Sequence, residues 1–316
     1  MAVDPQIQQM LDLLESIGAP PLDQGTPEMA RDGFRAMTVG MRQPDQVIPV
    51  GETQDVTVPG PAGDLRARVY RPEGFSGTAP TLLFIHGGGF VIGDVDTHDN
   101  QARALCRALD AVVLSTEYRL APENPWPAAV EDCLAAVRWA DKNIEQLGAD
   151  PSRLVVGGDS AGGNLSAVVA LALRDEDGPP LAAQLLIYPA VDMRDVPETY
   201  VSRVDNATGY LLTADDMRWF SAQYIPDGTD MADPRLSPLL APSLKGLPPA
   251  VVATAEFDPL RDEGAAYATA LEAAGVTVTH REYPGMIHGF FDMGVVSPGA
   301  AEAVEQICAD LRELLP

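Results

Sequence analysis

The residues best suited to chemistry form the run Gly-Asp-Ser-Ala-Gly at positions 158–162. This run fits the pattern G-x-S-x-G, in which a serine occupies a sharp turn between a strand and a helix. An apolar stretch precedes it, and a stretch rich in Ala, Val and Leu follows it. The flanking glycines leave room for the strained backbone that such a turn requires. Because the pattern also occurs by chance, an ordinary glycine-rich turn is the alternative to Ser160 as a nucleophile.

A second run, His-Gly-Gly-Gly-Phe at 86–90, follows another apolar stretch. Consecutive glycines let backbone amides converge on one point, as acyl transfer requires, because negative charge collects on the carbonyl oxygen in its transition state. We assign the amides of Gly88, Gly89 and Ala161 to an oxyanion hole. No Lys-Ser/Thr pair follows the glycines, which excludes a Walker-type phosphate loop. A flexible loop without this role is the remaining alternative.

A serine hydroxyl needs a base to become a nucleophile, and the chain has four histidines. We interpret His86 as a residue that fixes the glycine loop, His98 as a surface residue and His280 as a solvated residue of the last strand. His288 lies in the stretch 284–290, which is predicted to be a loop after that strand. Loops at the carboxyl ends of parallel strands converge on one crevice, so His288 is the predicted base. A histidine that merely packs the loop is its alternative.

The imidazole of a catalytic histidine is held in one tautomer by an acid. Asp258 follows the apolar stretch 251–254 and precedes Pro259, which disfavours a helical conformation at Asp258 and keeps it in the loop. Asp262 is the alternative acid, but it stands at the start of the next helical stretch and is better explained as a cap or a supporting residue. The resulting order of serine, acid and histidine is that of α/β hydrolases.

Strand-like and helical stretches alternate along most of the chain. Short apolar runs are typical of strands buried on both faces of a parallel sheet. Strands are predicted at 54–58, 65–70, 81–85, 111–115, 154–156, 185–187, 251–254 and 276–279, and helices at 97–109, 128–147, 161–174, 262–274 and 301–314. This alternation predicts the α/β class, with a mainly parallel sheet flanked by helices.

Two segments depart from the alternation. The stretch 5–43 has helical spacing, and its second helix is predicted to begin at Thr26-Pro27, a threonine cap followed by a proline at the first position. The stretch 192–244 is long and contains a helix near 213–224. We therefore predict that residues 1–45 and the insertion 192–244 form a cap, and that residues 46–191 and 245–316 form the catalytic domain.

Charge and cysteine content limit the partners. The 316 residues carry a formal net charge of −25, which repels phosphate backbones and anionic lipids, so we expect no binding to nucleic acid or membranes. The three cysteines, Cys106, Cys133 and Cys308, lack metal-ligand or paired spacing and are predicted to be buried thiols. Without a signal peptide or an apolar run long enough to span a membrane, the sequence predicts a cytoplasmic protein with no metal.

The chain resembles the hormone-sensitive-lipase-like family of carboxylesterases. The runs that carry the resemblance are those at 86–90, 118–123 (Tyr-Arg-Leu-Ala-Pro-Glu), 158–164, 258–262 and 288–290. The resemblance implies an α/β-hydrolase fold with an eight-stranded sheet under a helical cap. It also implies activity on esters with short to medium acyl chains, no cofactor, the same oxyanion donors and a bracing role for residues 118–123.

The hypothesis is a serine carboxylesterase with Ser160, His288 and Asp258 as its triad, acting on small-molecule esters through an acyl-enzyme intermediate. The same machinery could act on amides, lactones, formamides or acetylated sugars, which the fold does not distinguish. A small-molecule receptor on this scaffold is disfavoured, because such receptors lack the catalytic histidine. A lipase acting at oil interfaces is disfavoured by the acidic surface.

Two further predictions concern the substrate pocket and the oligomer. The apolar residues of the pocket are predicted to be Phe34, Met37, Met41, Tyr188, Leu211, Leu212 and Phe220. Ordinary helix packing is the alternative for each of them. The stretch 276–282 of the last strand is a candidate for pairing with a second copy as a homodimer.

Overall fold

The strands form one eight-stranded sheet in the computed structural model, which describes residues 2–18, 24–75 and 78–315. They are β1 (Glu52–Gly60), β2 (Gly63–Arg71), β3 (Ala79–Ile85), β4 (Val112–Thr116), β5 (Ala149–Asp159), β6 (Ala183–Ile187), β7 (Ala250–Phe257) and β8 (Val278–Ile287). Their order across the sheet is β1-β2-β4-β3-β5-β6-β7-β8. β2 runs antiparallel to both its neighbours, and the other pairs are parallel. The predicted fold class is confirmed.

Ten α-helices are present in the described ranges. They are α1 (Pro5–Ser16), α2 (Pro27–Arg35), α3 (Asp99–Leu109), α4 (Ala128–Lys142), α5 (Ile144–Leu147), α6 (Ala161–Asp175), α7 (Ser202–Asp205), α8 (Ala214–Tyr224), α9 (Arg261–Ala273) and α10 (Pro298–Leu314). None of these helices combines the length and apolar character that a membrane span requires. α2 begins as predicted, because Thr26 Oγ1 accepts a hydrogen bond from Met29 N at 3.2 Å.

The central strands β3, β4, β6 and β7 are buried on both faces, which explains their continuous apolar sequences. Successive side chains of a strand point to opposite faces. In β3, Leu83 and Ile85 therefore belong to the core on the face covered by α4, α6 and α9, whereas Leu82 and Phe84 belong to the core on the face covered by α3 and α10. The sheet is thus a rigid base, and the carboxyl ends of its parallel strands form one edge.

The N-terminal segment and the insertion both contact residues near that edge. Asp4 N donates to Gly285 O at 2.9 Å, next to the end of β8. Arg31 of α2 donates to Val91 O at 2.8 Å, in the loop after β3. The ring of Tyr224 in α8 stacks on Phe90 in the same loop, with centroids 3.8 Å apart. The division of the chain into a cap and a catalytic domain stays a prediction, and these contacts agree with it.

Several predicted boundaries differ from the observed ones, and two of the differences have a clear physical cause. The helix predicted at 128–147 is divided into α4 and α5 at Asn143, whose side chain donates back to Trp139 O at 2.8 Å and competes with helical continuation. The last strand starts and ends later than predicted, so that most of the supposed loop before His288 belongs to β8. Pro284 is tolerated there because β8 is an edge strand.

Candidate active site

Ser160 occupies the turn between β5 and α6 with φ 55° and ψ −117°, a conformation that costs a non-glycine residue about 1–3 kcal/mol. Its amide donates to Ile187 O at 2.9 Å. A Cβ on either Gly158 or Gly162 would collide with Ile85 O. The turn is therefore packed directly against the end of β3, and the two glycines make that approach possible.

Ser160, His288 and Asp258 form a continuous chain of hydrogen bonds. His288 Nε2 lies 3.0 Å from Ser160 Oγ, and His288 Nδ1 lies 2.8 Å from Asp258 Oδ2. The other carboxylate oxygen of Asp258 accepts from Leu260 N at 2.8 Å. The buried carboxylate can accept only from a protonated Nδ1, so Nε2 is left to take the serine proton.

The sheet brings these three side chains together because each follows a parallel strand. Ser160 follows β5, Asp258 follows β7 and His288 follows β8, so all three lie at the same edge. Asp262, the alternative acid, instead accepts from Ser202 N at 2.8 Å. It supports the insertion and lies in the first turn of α9.

The glycine loop after β3 presents its amides beside the serine. Gly88 and Gly89 have φ values of 108° and 57°, and a Cβ on Gly88 would collide with Ile92 O. The loop is closed by the bond from Ile92 N to Gly88 O at 2.9 Å. Within the described ranges, no hydrogen bond occupies the amides of Gly88, Gly89 or Ala161. Ala161 is the first residue of α6, where the helix dipole also favours an anion.

His86 and His98 lie behind this loop. His86 is buried, its ring stacks on Tyr118 at 4.3 Å, and its carbonyl accepts from Tyr118 Oη at 3.0 Å. Burial lowers the pKa of His86 to about 4, so the ring is neutral at pH 7. The prediction that His98 lies on the surface was wrong: its side chain is 2% exposed, because Thr97 Oγ1 holds its Nδ1 at 2.9 Å against His86.

Sequence reasoning missed Asp159, which is 5% exposed and accepts from Gly87 N at 2.9 Å. A Cβ on Gly87 would collide with this carboxylate, so the first glycine of the loop also serves close approach. Burial raises the pKa of Asp159 to about 6, although the Gly87 amide and His288 act in the opposite direction. The signal was its position directly before Ser160.

Three of the predicted pocket residues lie beside the site. Tyr188 is buried against the ring of His288, with centroids 4.6 Å apart. The ring of Phe220 lies so close to Gly89 that a Cβ there would collide with it. Leu211 Cδ2 lies 3.7 Å from where a Cβ on Gly289 would stand.

The other four predicted pocket residues have different surroundings. Phe34 packs against His98, with ring centroids 5.7 Å apart. Met37 and Met41 follow α2 and are 43% and 70% exposed, and Leu212 is partly buried. Across the residues described here, no group of three or more His, Cys, Asp or Glu side chains is arranged to hold a metal ion.

A doubly flanked parallel sheet, a serine at a strand-to-helix turn and a hydrogen-bonded histidine and aspartate define the α/β-hydrolase class. Residues 82–292 match a family model described as the alpha/beta hydrolase fold. The chain belongs to this family, and its resemblance to the hormone-sensitive-lipase-like carboxylesterases is confirmed.

Named relatives cover most of the chain. Carboxylic ester hydrolase LipN of Mycobacterium tuberculosis is 46% identical over 98% of this chain and 82% of its own length. Ethyl acetate hydrolase of Pseudomonas putida is 40% identical over 79% of each chain. The solved structure of a hyperthermophilic esterase from the archaeon Pyrobaculum calidifontis is similar with a TM-score of 0.93, at 42% identity and over 99% of both chains.

The raised pKa of Asp159 predicts a pH-dependent stability. The native carboxyl keeps its proton up to about pH 6, whereas an unfolded aspartate loses it near pH 4, so wild-type stability falls as the pH rises through this window. Asparagine does not titrate and still accepts from Gly87 N. Between pH 4 and pH 7, we therefore expect the free energy of unfolding of Asp159→Asn to increase by up to about 3 kcal/mol relative to that of wild type.

The free energy of unfolding at several pH values, from denaturant titrations, measures this gain. The exposed Asp195 provides the matched control, because Asp195→Asn should track wild type across the same range. A constant difference between Asp159→Asn and wild type from pH 4 to pH 7 would show that Asp159 is ionised throughout.

Proposed function

We propose that the protein is a serine carboxylesterase that hydrolyses small-molecule esters with short- to medium-chain acyl groups through an acyl-enzyme intermediate. The observation that carries the proposal is the hydrogen-bonded chain from Ser160 through His288 to Asp258. The relatives named as a carboxylic ester hydrolase and an ethyl acetate hydrolase support an ester as the substrate.

In the first step, Ser160 Oγ attacks the ester carbonyl carbon while its proton passes to His288 Nε2, 3.0 Å away. The carbonyl oxygen becomes an oxyanion that accepts from the amides of Gly88, Gly89 and Ala161. The imidazolium then donates its proton to the alcohol oxygen as the carbon–oxygen bond of the ester breaks. Asp258 stabilises the imidazolium through the 2.8 Å bond to Nδ1 and stays ionised.

In the second step, water replaces the alcohol. His288 Nε2 takes a proton from the water as its oxygen attacks the acyl carbon, and the same three amides stabilise the second oxyanion. His288 then returns a proton to Ser160 Oγ, which releases the carboxylic acid. No cofactor enters either step.

The proposed preference for short acyl chains rests on the insertion. Phe220 closes the space above Gly89, and Leu211 stands beside the glycine that follows His288. Because His288 protonates the departing alcohol, Leu211 faces the alcohol side of the ester. Phe220 then bounds the acyl side of the pocket proposed for the seven predicted residues.

Loss of the nucleophile should abolish turnover. We expect Ser160→Ala to lower kcat on 4-nitrophenyl esters by a factor on the order of 10⁴ or more, because the other groups cannot form an acyl-enzyme. Ser166, also on α6, is a buried serine whose hydroxyl donates to Gly162 O within the same helix, so Ser166→Ala is the matched control and should keep its activity. Retained turnover in a folded Ser160→Ala protein would refute the proposal.

Phe220 gives a test of chain length. With wild type, the rates on a series from 4-nitrophenyl acetate to palmitate should peak at short or medium chains. Phe220→Ala should raise the octanoate-to-acetate ratio of kcat/KM about tenfold, since each newly accommodated methylene contributes about 0.8 kcal/mol of burial. Phe75→Ala, in the loop before β3, controls for lost packing. An unchanged octanoate-to-acetate ratio in Phe220→Ala would show that Phe220 does not limit the length of the acyl chain.

We further propose that the protein is cytoplasmic and forms a homodimer through β8. The three cysteines are buried free thiols, as a reducing compartment favours. β8 is the last strand of the sheet, so one of its sides has no partner strand within the described chain. Antiparallel pairing of two copies centred between Arg281 and Glu282 would set these opposite charges across from each other.

Light scattering tests the dimer directly. We expect a mass near twice the 33.6 kDa of one chain. Glu282→Arg should lower that mass by placing like charges opposite each other. A wild-type mass of one chain at micromolar concentration would contradict the pairing.

A further inference from the structure

The short helix α7, in the insertion, is bonded to the loop that carries Asp258. We call residues 256–263, from the end of β7 to the first turn of α9, the acid loop. Ser202 Oγ donates to Pro259 O at 2.9 Å, and Ser202 N donates to Asp262 Oδ2 at 2.8 Å. Arg203 Nε donates to the buried carboxylate of Glu263 at 3.0 Å. The insertion is thus hydrogen-bonded to the acid loop on both sides of its turn.

Asn206, which ends α7, makes the contact nearest to the acid. Its Nδ2 donates to Asp258 O at 3.1 Å and to Glu256 O at 3.2 Å. The side chain is 5% exposed, so water cannot readily replace these bonds. The amide orientation is determined by its surroundings, because Oδ1 in that position would face two carbonyl oxygens.

We propose that Asn206 is a positioning residue for ester hydrolysis, which fixes the backbone of Asp258 so that its carboxylate stays aligned with His288. The inference rests on the proposed role of Asp258 in the triad. Both carboxylate oxygens of Asp258 are already committed, one to His288 Nδ1 and the other to Leu260 N. Any shift of the Asp258 backbone therefore displaces the acid from the imidazole.

The same insertion contributes the pocket wall. Leu211 follows Asn206 by five residues, and Ala214 N, at the start of α8, donates to Ala207 O at 2.9 Å. The segment that places Leu211 and Phe220 around the ester is thus anchored at the acid. Asn206 therefore connects the segment that bounds the substrate pocket to the backbone of the catalytic acid.

The test removes both donors without adding charge. Asn206→Leu is close in size and cannot donate, and kcat, KM and the pH profile on 4-nitrophenyl acetate are compared with wild type. We expect kcat to fall about 10- to 100-fold with KM nearly unchanged, because a misplaced acid affects the reacting state more than binding. The acid limb of kcat/KM should move to lower pH, because the imidazolium loses part of its stabilisation.

Asn100 supplies the matched control. It is 9% exposed, donates to Gln46 O at 2.8 Å and accepts from Ile48 N at 3.1 Å, both in the segment that precedes β1. Asn100→Leu should lower the melting temperature as Asn206→Leu does, with kcat and the acid limb unchanged. If Asn206→Leu loses only thermal stability, Asn206 is structural and the proposal is overturned.

Two more variants keep the outcome decisive. Asn206→Ser retains one smaller donor and perturbs packing less, so a folded protein with wild-type kcat and acid limb would also overturn the proposal. Asp258→Asn distinguishes a failure of the proposed triad from a failure of the role proposed for Asn206. Full activity in Asp258→Asn would refute the triad itself, whereas an inactive Asp258→Asn beside a fully active Asn206→Leu would refute only the role of Asn206.

Discussion

The strained backbone of Ser160 is the constraint on which the remainder of the site depends. A φ of 55° at a non-glycine residue persists only where the surroundings over-determine it. Here the hydrogen bond from Ser160 N to Ile187 O and the packing of Gly158 and Gly162 against Ile85 O hold the backbone in this conformation. Because Ile85 ends β3, the serine turn and the glycine loop that follows Ile85 are fixed to each other by direct contact. The nucleophile and the oxyanion donors therefore belong to one rigid unit.

Burial also controls the protonation of the side chains behind the oxyanion loop. The protein carries a formal net charge of −25, yet its two histidines behind the oxyanion loop are neutral, since burial lowers the pKa of both His86 and His98. Neither ring therefore supplies a positive charge to the developing oxyanion, and the backbone amides carry that stabilisation. Asp159 holds the loop by accepting a hydrogen bond from Gly87 N. Its raised pKa reflects the energetic cost of burying a carboxylate at this position.

Periodicity and motif spacing predicted the α/β fold, and they predicted which residues would meet at the edge of the sheet. This was possible because strand burial and strand-end position are local consequences of apolar runs and of the loops that follow them. The burial of His98 was not predictable, since it depends on a turn held by Thr97 and on packing against Phe34 and His86. The role of Asn206 depends on contacts 50 and 52 residues away in sequence, which periodicity does not encode. The extent of β8 likewise follows from pairing with β7.

Covalent labelling tests the central claim, that Ser160 is the nucleophile activated by His288, most directly. The protein would be incubated with a 4-nitrophenyl phosphonate ester, which phosphonylates an activated serine and releases nitrophenolate, and the adduct would be located by peptide mass spectrometry. The account predicts one phosphonyl group per chain on the peptide that contains Ser160, activity lost in proportion to labelling, and almost no labelling of His288→Asn. Stoichiometric labelling at another residue with loss of activity, or full activity after Ser160 is modified, would contradict it.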